Sequence, residues 1–338
     1  MNDKKLRVLG IVDGKGSRYH QIQLPLKALE AQGLIELKLL SFDQIKESLV
    51  EAFSDIDIVY NNWFTPFSID QLKAWRNEYG FKWINAFDET IQCETHSFYI
   101  QEWAELVKFS DFVSATNLLI ADELGDFAEN RMCLPNFLPI GEGQFVPKPL
   151  EKQFSGKLRI GIIGSWSHYQ DWALLKPVIN RLAANKEIAA NCEFVISGYE
   201  KHKIWDDIVS LFTRKKNLKV TVLGGKPVDS YMELYDEIDV VLQPLVENQF
   251  NICKSALKIN EGSIKGCVLI GSPLYMAKEI NNFIGAVFPL DYEEAILKLM
   301  EEGQFERISK QVCENNSLLN DWNGRLKCTF EMFEKVME

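Results

Sequence analysis

The chain has 338 residues, of which 46% are hydrophobic and 25% charged, the composition of an ordinary globular protein and not of a disordered or fibrous one. Its net charge of −11 argues against a general nucleic-acid binder, which carries a basic surface to release counterions, and against a surface dedicated to anionic membranes. The length exceeds what one hydrophobic core organises, so two α/β domains of about 150 residues each are expected. The seven cysteines, Cys93, Cys133, Cys192, Cys253, Cys267, Cys313 and Cys328, form no Cys-x-x-Cys pair and no zinc-type cluster with histidine. They read as buried thiols in a reducing compartment. The N-terminus MNDKKLRVLG lacks a signal-peptide core, and no apolar run approaches the ~18–20 residues that span a bilayer. A cytoplasmic protein without an integral membrane segment is expected.

In chain order, strands are expected at Leu6–Asp13, Leu34–Ser41, Ile56–Asn61, Lys82–Phe87, Phe112–Thr116 and Arg131–Pro135, with helical stretches such as Tyr19–Ala31 and Glu102–Phe109 between them. Short β-branched runs alternating with helices indicate a parallel sheet covered on both faces. After the first strand, Asp13–Pro25 reads DGKGSRYHQIQLP. Gly14 and Gly16 give half of a G-x-G-x-x-G fingerprint, but Tyr19 stands where the third glycine belongs, so nicotinamide-dinucleotide binding is not supported. Asp55–Asp57 (DID) reads as a strand edge, and no two acidic residues form an obvious metal pair; no metal is expected. The aromatic stretch Asn61–Trp83, with Trp63, Phe64, Phe67, Trp75, Tyr79 and Phe81, reads mostly as core, a platform for a sugar or base being the alternative.

The periodicity breaks over residues 138–156, where three prolines and three glycines mark an interdomain linker. A second series of strands follows at Leu158–Gly164, Glu193–Gly198, Leu218–Gly224, Val240–Leu245 and Val268–Ser272. The expected domains are 1–140 and 157–318. A last amphipathic helix over 319–338, with Trp322, Leu326, Phe330 and Phe333 on one face, could return to the first domain.

The most informative segment is Pro244–Ser272, PLVENQFNICKSALKINEGSIKGCVLIGS. A helix starting near Cys253 puts Lys254, Lys258 and Glu261 at i, i+4 and i+7, a wedge of about 60° on one face. A helix start with Lys254 and Ser255 in its first turn suits a pyrophosphate, and Glu261 two turns deeper suits a pair of sugar hydroxyls. A solvated face with a Lys258–Glu261 ion pair is the alternative, and spacing alone does not separate the two.

The run Phe250, Asn251, Lys254, Ser255, Lys258, Glu261, Gly266 and VLIGS resembles the donor-site motif of retaining GT-B glycosyltransferases related to glycosyltransferase family 4, in particular bacterial and phage members. Gly161–Asp171, GIIGSWSHYQD, resembles the same family's first strand-to-helix turn. The resemblance implies an α/β chain of the GT-B class: two facing Rossmann-like, doubly wound parallel-sheet domains with a C-terminal helix. It implies that Glu261 binds the nucleotide ribose and that Lys254, Ser255, Ala256 and Lys258 hold the diphosphate. Gly164 and Ser165 would let the backbone approach phosphate, with Asn251, Ser167 and His168 as polar contacts; His168 taken alone reads first as a helix-cap or core-edge histidine. Backbone groups from Gly225 to Val228 would meet the nucleobase. In the first domain it implies a flexible loop at Gly14 and Gly16 under the diphosphate, with Arg18, Tyr19 and His20 lining the cleft, and Asp88, Glu89 and His96 beside it. Lys254, Lys258, Asp88 and His96 are thus the catalytic candidates. One departure is plain: Cys253 stands where better-known members carry an acidic residue near the transferred sugar, and Asn251 or Glu247 are its candidate replacements.

The implied activity is transfer of a sugar from a nucleoside-diphosphate sugar to an acceptor hydroxyl, with retention at the anomeric carbon and no cofactor beyond that donor. Carbohydrate acceptors such as a polysaccharide come first, with hydroxymethylpyrimidine in phage DNA as the minority case. A sugar-nucleotide epimerase, or a binding scaffold without turnover, are the alternatives. The oligomeric state is not legible.

Overall fold

The computed structural model describes residues 5–14, 16–90, 100–147, 157–272 and 291–338. They divide into two compact units. Unit 1 comprises Met1–Phe137, Cys253–Ser255 and Asp321–Glu338, and unit 2 comprises Leu138–Ile252 and Ala256–Asn320. No helix among the described residues is long and apolar enough to cross a membrane.

Unit 1 is built on β1 (Leu6–Ile11), β2 (Ile35–Leu40), β3 (Ile58–Asn62), β4 (Lys82–Phe87), β5 (Phe112–Ala115) and β6 (Arg131–Cys133). They run parallel in the order β2-β1-β3-β4-β5-β6. Unit 2 is built on β7 (Leu158–Ile163), β8 (Cys192–Tyr199), β9 (Lys219–Gly224), β10 (Val240–Gln243) and β11 (Val268–Gly271). These are parallel in the order β11-β10-β7-β8-β9. Each strand expected from the sequence is present. In both sheets the chain winds outward on one side, returns and winds outward on the other. The winding reverses between β1 and β3 in unit 1 and between β7 and β10 in unit 2. At such a reversal the connections diverge and leave a crevice beyond the carboxyl ends of the strands, where open α/β sheets bind ligands.

The same device starts strands in both units. The backbone N–H groups of Arg7, Trp83 and Arg159 donate to Asp57, Asp111 and Asp239, each the residue just before the neighbouring strand, at 2.8 Å. Each aspartate satisfies a donor that the ladder has not yet reached. Asp57 therefore belongs to a strand edge, as DID reads, and Arg7 closes on both Asp55 and Asp57.

Apolar side chains cover the two faces of the unit 1 sheet. On one face the last helix, Trp322–Met337, packs Trp322, Leu326, Met332 and Phe333 against Val8, Ile58, Tyr60 and Ile84. Its buried Arg325 donates to the carbonyls of Phe137 and His20 at 3.2 and 2.8 Å. Burial of that guanidinium pulls its pKa down to about 10. On the other face Phe53, Phe67, Phe81 and Trp83 stack into a second cluster, so Phe67 and Phe81 are core, as is Trp75 by its packing on Phe53.

The stretch Tyr19–Ala31 departs from a single regular helix. A helical turn at Gly16–Arg18 passes into a π-helical segment, Tyr19–Gln23, and then into an α-helix, Leu24–Ala31. The N–H of Leu24 reaches back five residues to Tyr19, and Pro25, which has no N–H, cannot restore the four-residue step at the next position.

Candidate functional site

Unit 2 concentrates polar side chains at its sheet reversal. Lys258 lies in the first turn of the helix Leu257–Ile264. Its Nζ donates to the carbonyl of Ile163 at 2.7 Å and to Oε1 of Gln243 at 2.9 Å. Ile163 is the last residue of β7 and Gln243 the last of β10. An ammonium is thereby fixed between the carboxyl ends of the two strands where the winding reverses. Gly164 makes room for it: a Cβ there would sit 2.9 Å from the Lys258 Nζ, 3.2 Å from Trp172 and 3.3 Å from His168.

His168 is held from behind. Its Nδ1–H donates to Oδ2 of Asp171 at 2.9 Å. Oδ1 of Asp171 accepts from the Val246 N–H at 2.9 Å and the Asn251 Nδ2 at 2.7 Å. Asn251 also donates to the Val246 carbonyl at 2.9 Å. One buried carboxylate thus ties the turn after β7 to the loop after β10 and fixes the ring's orientation, as second-layer carboxylates do for functional histidines.

Glu261, one turn beyond Lys258 and only 5% exposed, accepts from the Tyr231 hydroxyl at 2.5 Å and the Tyr235 hydroxyl at 2.6 Å, one on each oxygen. The two phenols fix the plane of the carboxylate. Neither Tyr231 nor Tyr235 stands out in the sequence as a partner of Glu261. The only signal was their four-residue spacing on the segment before Asp236, which does not name its target.

In unit 1 the corresponding reversal is filled by a buried arginine. Arg18, 3% exposed, donates to the carbonyls of Phe64 and Asn62 at 2.7 and 3.2 Å and to Asp13 at 3.2 Å. Its guanidinium lies 4.4 Å from the centre of the Phe42 ring. Asn62 donates to Asp88 at 3.3 Å. Burial, followed by the neighbouring charge of Glu89, pushes the Asp88 carboxyl up to about 6, against hydrogen bonds from Ser17 and Asn62 that favour the ionised form. A carboxyl with a raised folded pKa binds its proton more tightly folded than unfolded. Its contribution to stability therefore declines from about pH 4 to about pH 6. The Asp88→Asn variant is expected to gain melting temperature relative to the parent across that window and to hold the gain above it. Paired thermal melts from pH 4 to 8 check this; a constant offset at every pH would contradict it.

No known protein family's profile matches the chain, and no curated protein matches it in sequence. Solved structures do. An α-glucosyltransferase in complex with UDP and a 13-mer DNA containing an HMU base superposes with a TM-score of 0.65 at 11% identity, covering 98% of this chain and 100% of that one. The apo structure of OtsA gives 0.64 at 13% identity, with 98% and 99% coverage. A UDP-forming α,α-trehalose-phosphate synthase from Burkholderia xenovorans gives 0.61 at 12% identity, with 88% and 79% coverage. The fold is that of the GT-B glycosyltransferases.

Within this GT-B fold several expected residues move. The helix near Cys253 does not begin there: Gln249–Ile252 forms a separate turn, and the next helix starts at Leu257 with Ala256 as its N-cap. Lys254 and Ser255 lie before it, in the Cys253–Ser255 segment that clusters with unit 1. There Asn117 donates to the Cys253 carbonyl at 2.5 Å and Asn136 to the Ser255 hydroxyl at 3.3 Å. Asn117 thereby takes up a carbonyl that a continuous helix would engage. Only Lys258 and Glu261 therefore share the helix, and the three-residue wedge dissolves. Cys253 itself packs with Phe87, Trp103 and Val113, an apolar environment that penalises a carboxylate.

Arg18, Tyr19 and His20 are buried, on a helical turn and the π-helical segment that follows it. Gly14 adopts φ +75°, and Gly16 begins the first helical turn. Ser165 is exposed, and Gly225 is exposed with its N–H on the Tyr199 carbonyl at 3.2 Å. Glu247 is exposed, whereas Asn251 is buried behind His168. His96, Cys93 and the Ser167 side chain lie outside the described residues.

Proposed function

We propose that the chain is a glycosyltransferase that takes its sugar from a nucleoside diphosphate bound on unit 2. The observation that carries this reading is the Lys258 ammonium held between the ends of β7 and β10. The bond between the anomeric carbon and the diphosphate oxygen breaks, a bond from that carbon to the acceptor oxygen forms, and the acceptor proton passes to the departing diphosphate. Negative charge grows on the diphosphate as the bond lengthens. Lys258, the backbone at Gly164 and Ser165, and the oriented ring of His168 are the groups that meet it. With the leaving group itself accepting the proton on the same face, the product retains the donor's configuration.

Glu261 takes the ribose hydroxyls in this reading. Glu261→Gln keeps the shape and removes the charge, and is expected to weaken UDP binding roughly 10–100-fold, the range for hydrogen bonds to a charged partner. The loss should shrink with 2′-deoxy-UDP; an equal loss for both nucleotides would place Glu261 away from the ribose 2′-hydroxyl. The similar structure that holds UDP makes UDP-sugars the first donors to test, and its DNA keeps hydroxymethylpyrimidine among the acceptors to try. Release of nucleoside diphosphate from UDP-, GDP-, ADP- and dTDP-sugars, with and without acceptors, tests the function. Release from one nucleotide class, slow without acceptor, is expected. Binding without release under any condition would identify a nucleotide-sugar-binding scaffold instead.

A further inference from the structure

Unit 1 has a half-open pocket of about 500 Å³, within the range of small-molecule sites. It lies beyond the carboxyl ends of β3 and β4 and is bordered by the helix Ile100–Phe109. Trp63, Phe64 and Trp103 give it aromatic surface, and Glu89, Glu102 and Glu105 give it carboxylates. Among the described residues that line it there is no lysine, arginine or histidine.

Its aromatic wall is built to hold still. The Phe64 carbonyl accepts from Arg18 at 2.7 Å and from Asn61 at 3.2 Å. Asn61 also donates to Asn85 at 2.7 Å, and both asparagines are fully buried. Trp63, the residue that turns the chain, sits at φ +24°, a conformation that an indole-bearing residue keeps only when its surroundings impose it. Buried arginine and asparagine side chains in an otherwise apolar sheet edge fix the turn that presents Trp63 and Phe64.

We propose that this pocket binds an uncharged carbohydrate. The C–H faces of a pyranose stack on indole and phenyl rings, and its hydroxyls donate to carboxylates, which when ionised act purely as acceptors. A phosphate or carboxylate on the ligand meets like charge from Glu89, Glu102 and Glu105, with no cation among the described lining residues to offset it. The pocket is the acceptor site of the transfer reaction; this assignment rests on the glycosyltransferase reading, whereas carbohydrate binding stands without it.

Tryptophan fluorescence of the full chain, titrated with maltose, cellobiose and lactose, with glucose-6-phosphate, and with a DNA oligonucleotide carrying hydroxymethylpyrimidine, tests the proposal. At least one neutral disaccharide is expected to bind saturably and at least tenfold more tightly than the sugar phosphate. The double variant Glu102→Gln/Glu105→Gln, isosteric and on an exposed helix face, is expected to lose about tenfold in that affinity and to narrow the gap to glucose-6-phosphate. A parallel UDP titration with Lys258→Ala reads the donor site separately. Loss of UDP binding with the disaccharide curve unchanged supports two independent sites. Disaccharide binding without turnover of any nucleotide sugar sinks the donor reading and leaves the carbohydrate pocket standing. No saturable response to any neutral sugar, tighter binding of the sugar phosphate or the DNA, or an unchanged disaccharide constant in the double variant would overturn it.

Discussion

Lys258→Ala is expected to lower kcat by about 10²–10³-fold, the cost of removing one preorganised donor to a developing oxyanion. Its ammonium is positioned by the Ile163 carbonyl and the Gln243 amide oxygen, so no reorganisation is needed as charge gathers on the leaving diphosphate. The substitution also strips a donor from Gln243, which is fully buried, so a loss of about 1–3 kcal/mol in stability is expected alongside. Chemical denaturation of the same sample separates the two effects. Arginine is a poor replacement: its planar fork cannot occupy the gap that Gly164 leaves for a compact ammonium. Lys254→Ala should cost less than Lys258→Ala, because Lys254 precedes the helix that carries Lys258 to the ends of β7 and β10. Equal losses in the two variants would contradict the placement of the charge.

Gly198→Ala is expected to destabilise the protein by about 3 kcal/mol or more and to abolish donor binding. Gly198 sits at φ +95° where the β8 register shifts, and a Cβ there would lie 2.4 Å from the carbonyl oxygen of Gly164. Left-handed strain alone costs about 1–3 kcal/mol, and a backbone atom cannot rotate away as a side chain can. Relief must move Gly164, the residue whose bareness admits Lys258 and His168. Gly80→Ala provides the contrast. It caps a helix at φ +78° with nothing within 4 Å of its would-be Cβ, so a loss of about 1 kcal/mol with nucleotide binding intact is expected. Urea unfolding and UDP titration of both variants check the pair; similar losses in the two would mean that the Gly164–Gly198 approach is not under constraint.

What was legible in the sequence is what is local. Strands announced themselves as short β-branched runs, and every expected strand is present. Lys258 and Glu261 stood out because three residues apart on a helix is a local relation. Their partners were not legible: Ile163 lies 95 residues from Lys258, and Tyr231 lies 30 from Glu261. The break at Cys253–Ser255 was hidden for the same reason, since Asn117 and Asn136, more than a hundred residues upstream, take up its polar groups. Arg18 entered only through the resemblance, as a cleft-lining residue, and nothing local in the sequence marks it as buried. It is buried because three oxygen acceptors converge on it from Asp13, Asn62 and Phe64. The acidic residue absent at Cys253 has its explanation in the apolar cluster around that thiol.

Calorimetric titration of UDP, GDP, ADP and dTDP into the parent chain and into Lys258→Ala tests the donor site most directly. One nucleoside diphosphate is expected to bind with one-to-one stoichiometry, and Lys258→Ala to weaken it roughly 10–100-fold, the scale of a charged donor removed from a phosphate. Absence of binding by all four, or an unchanged constant in Lys258→Ala, would contradict a diphosphate held at the ends of β7 and β10.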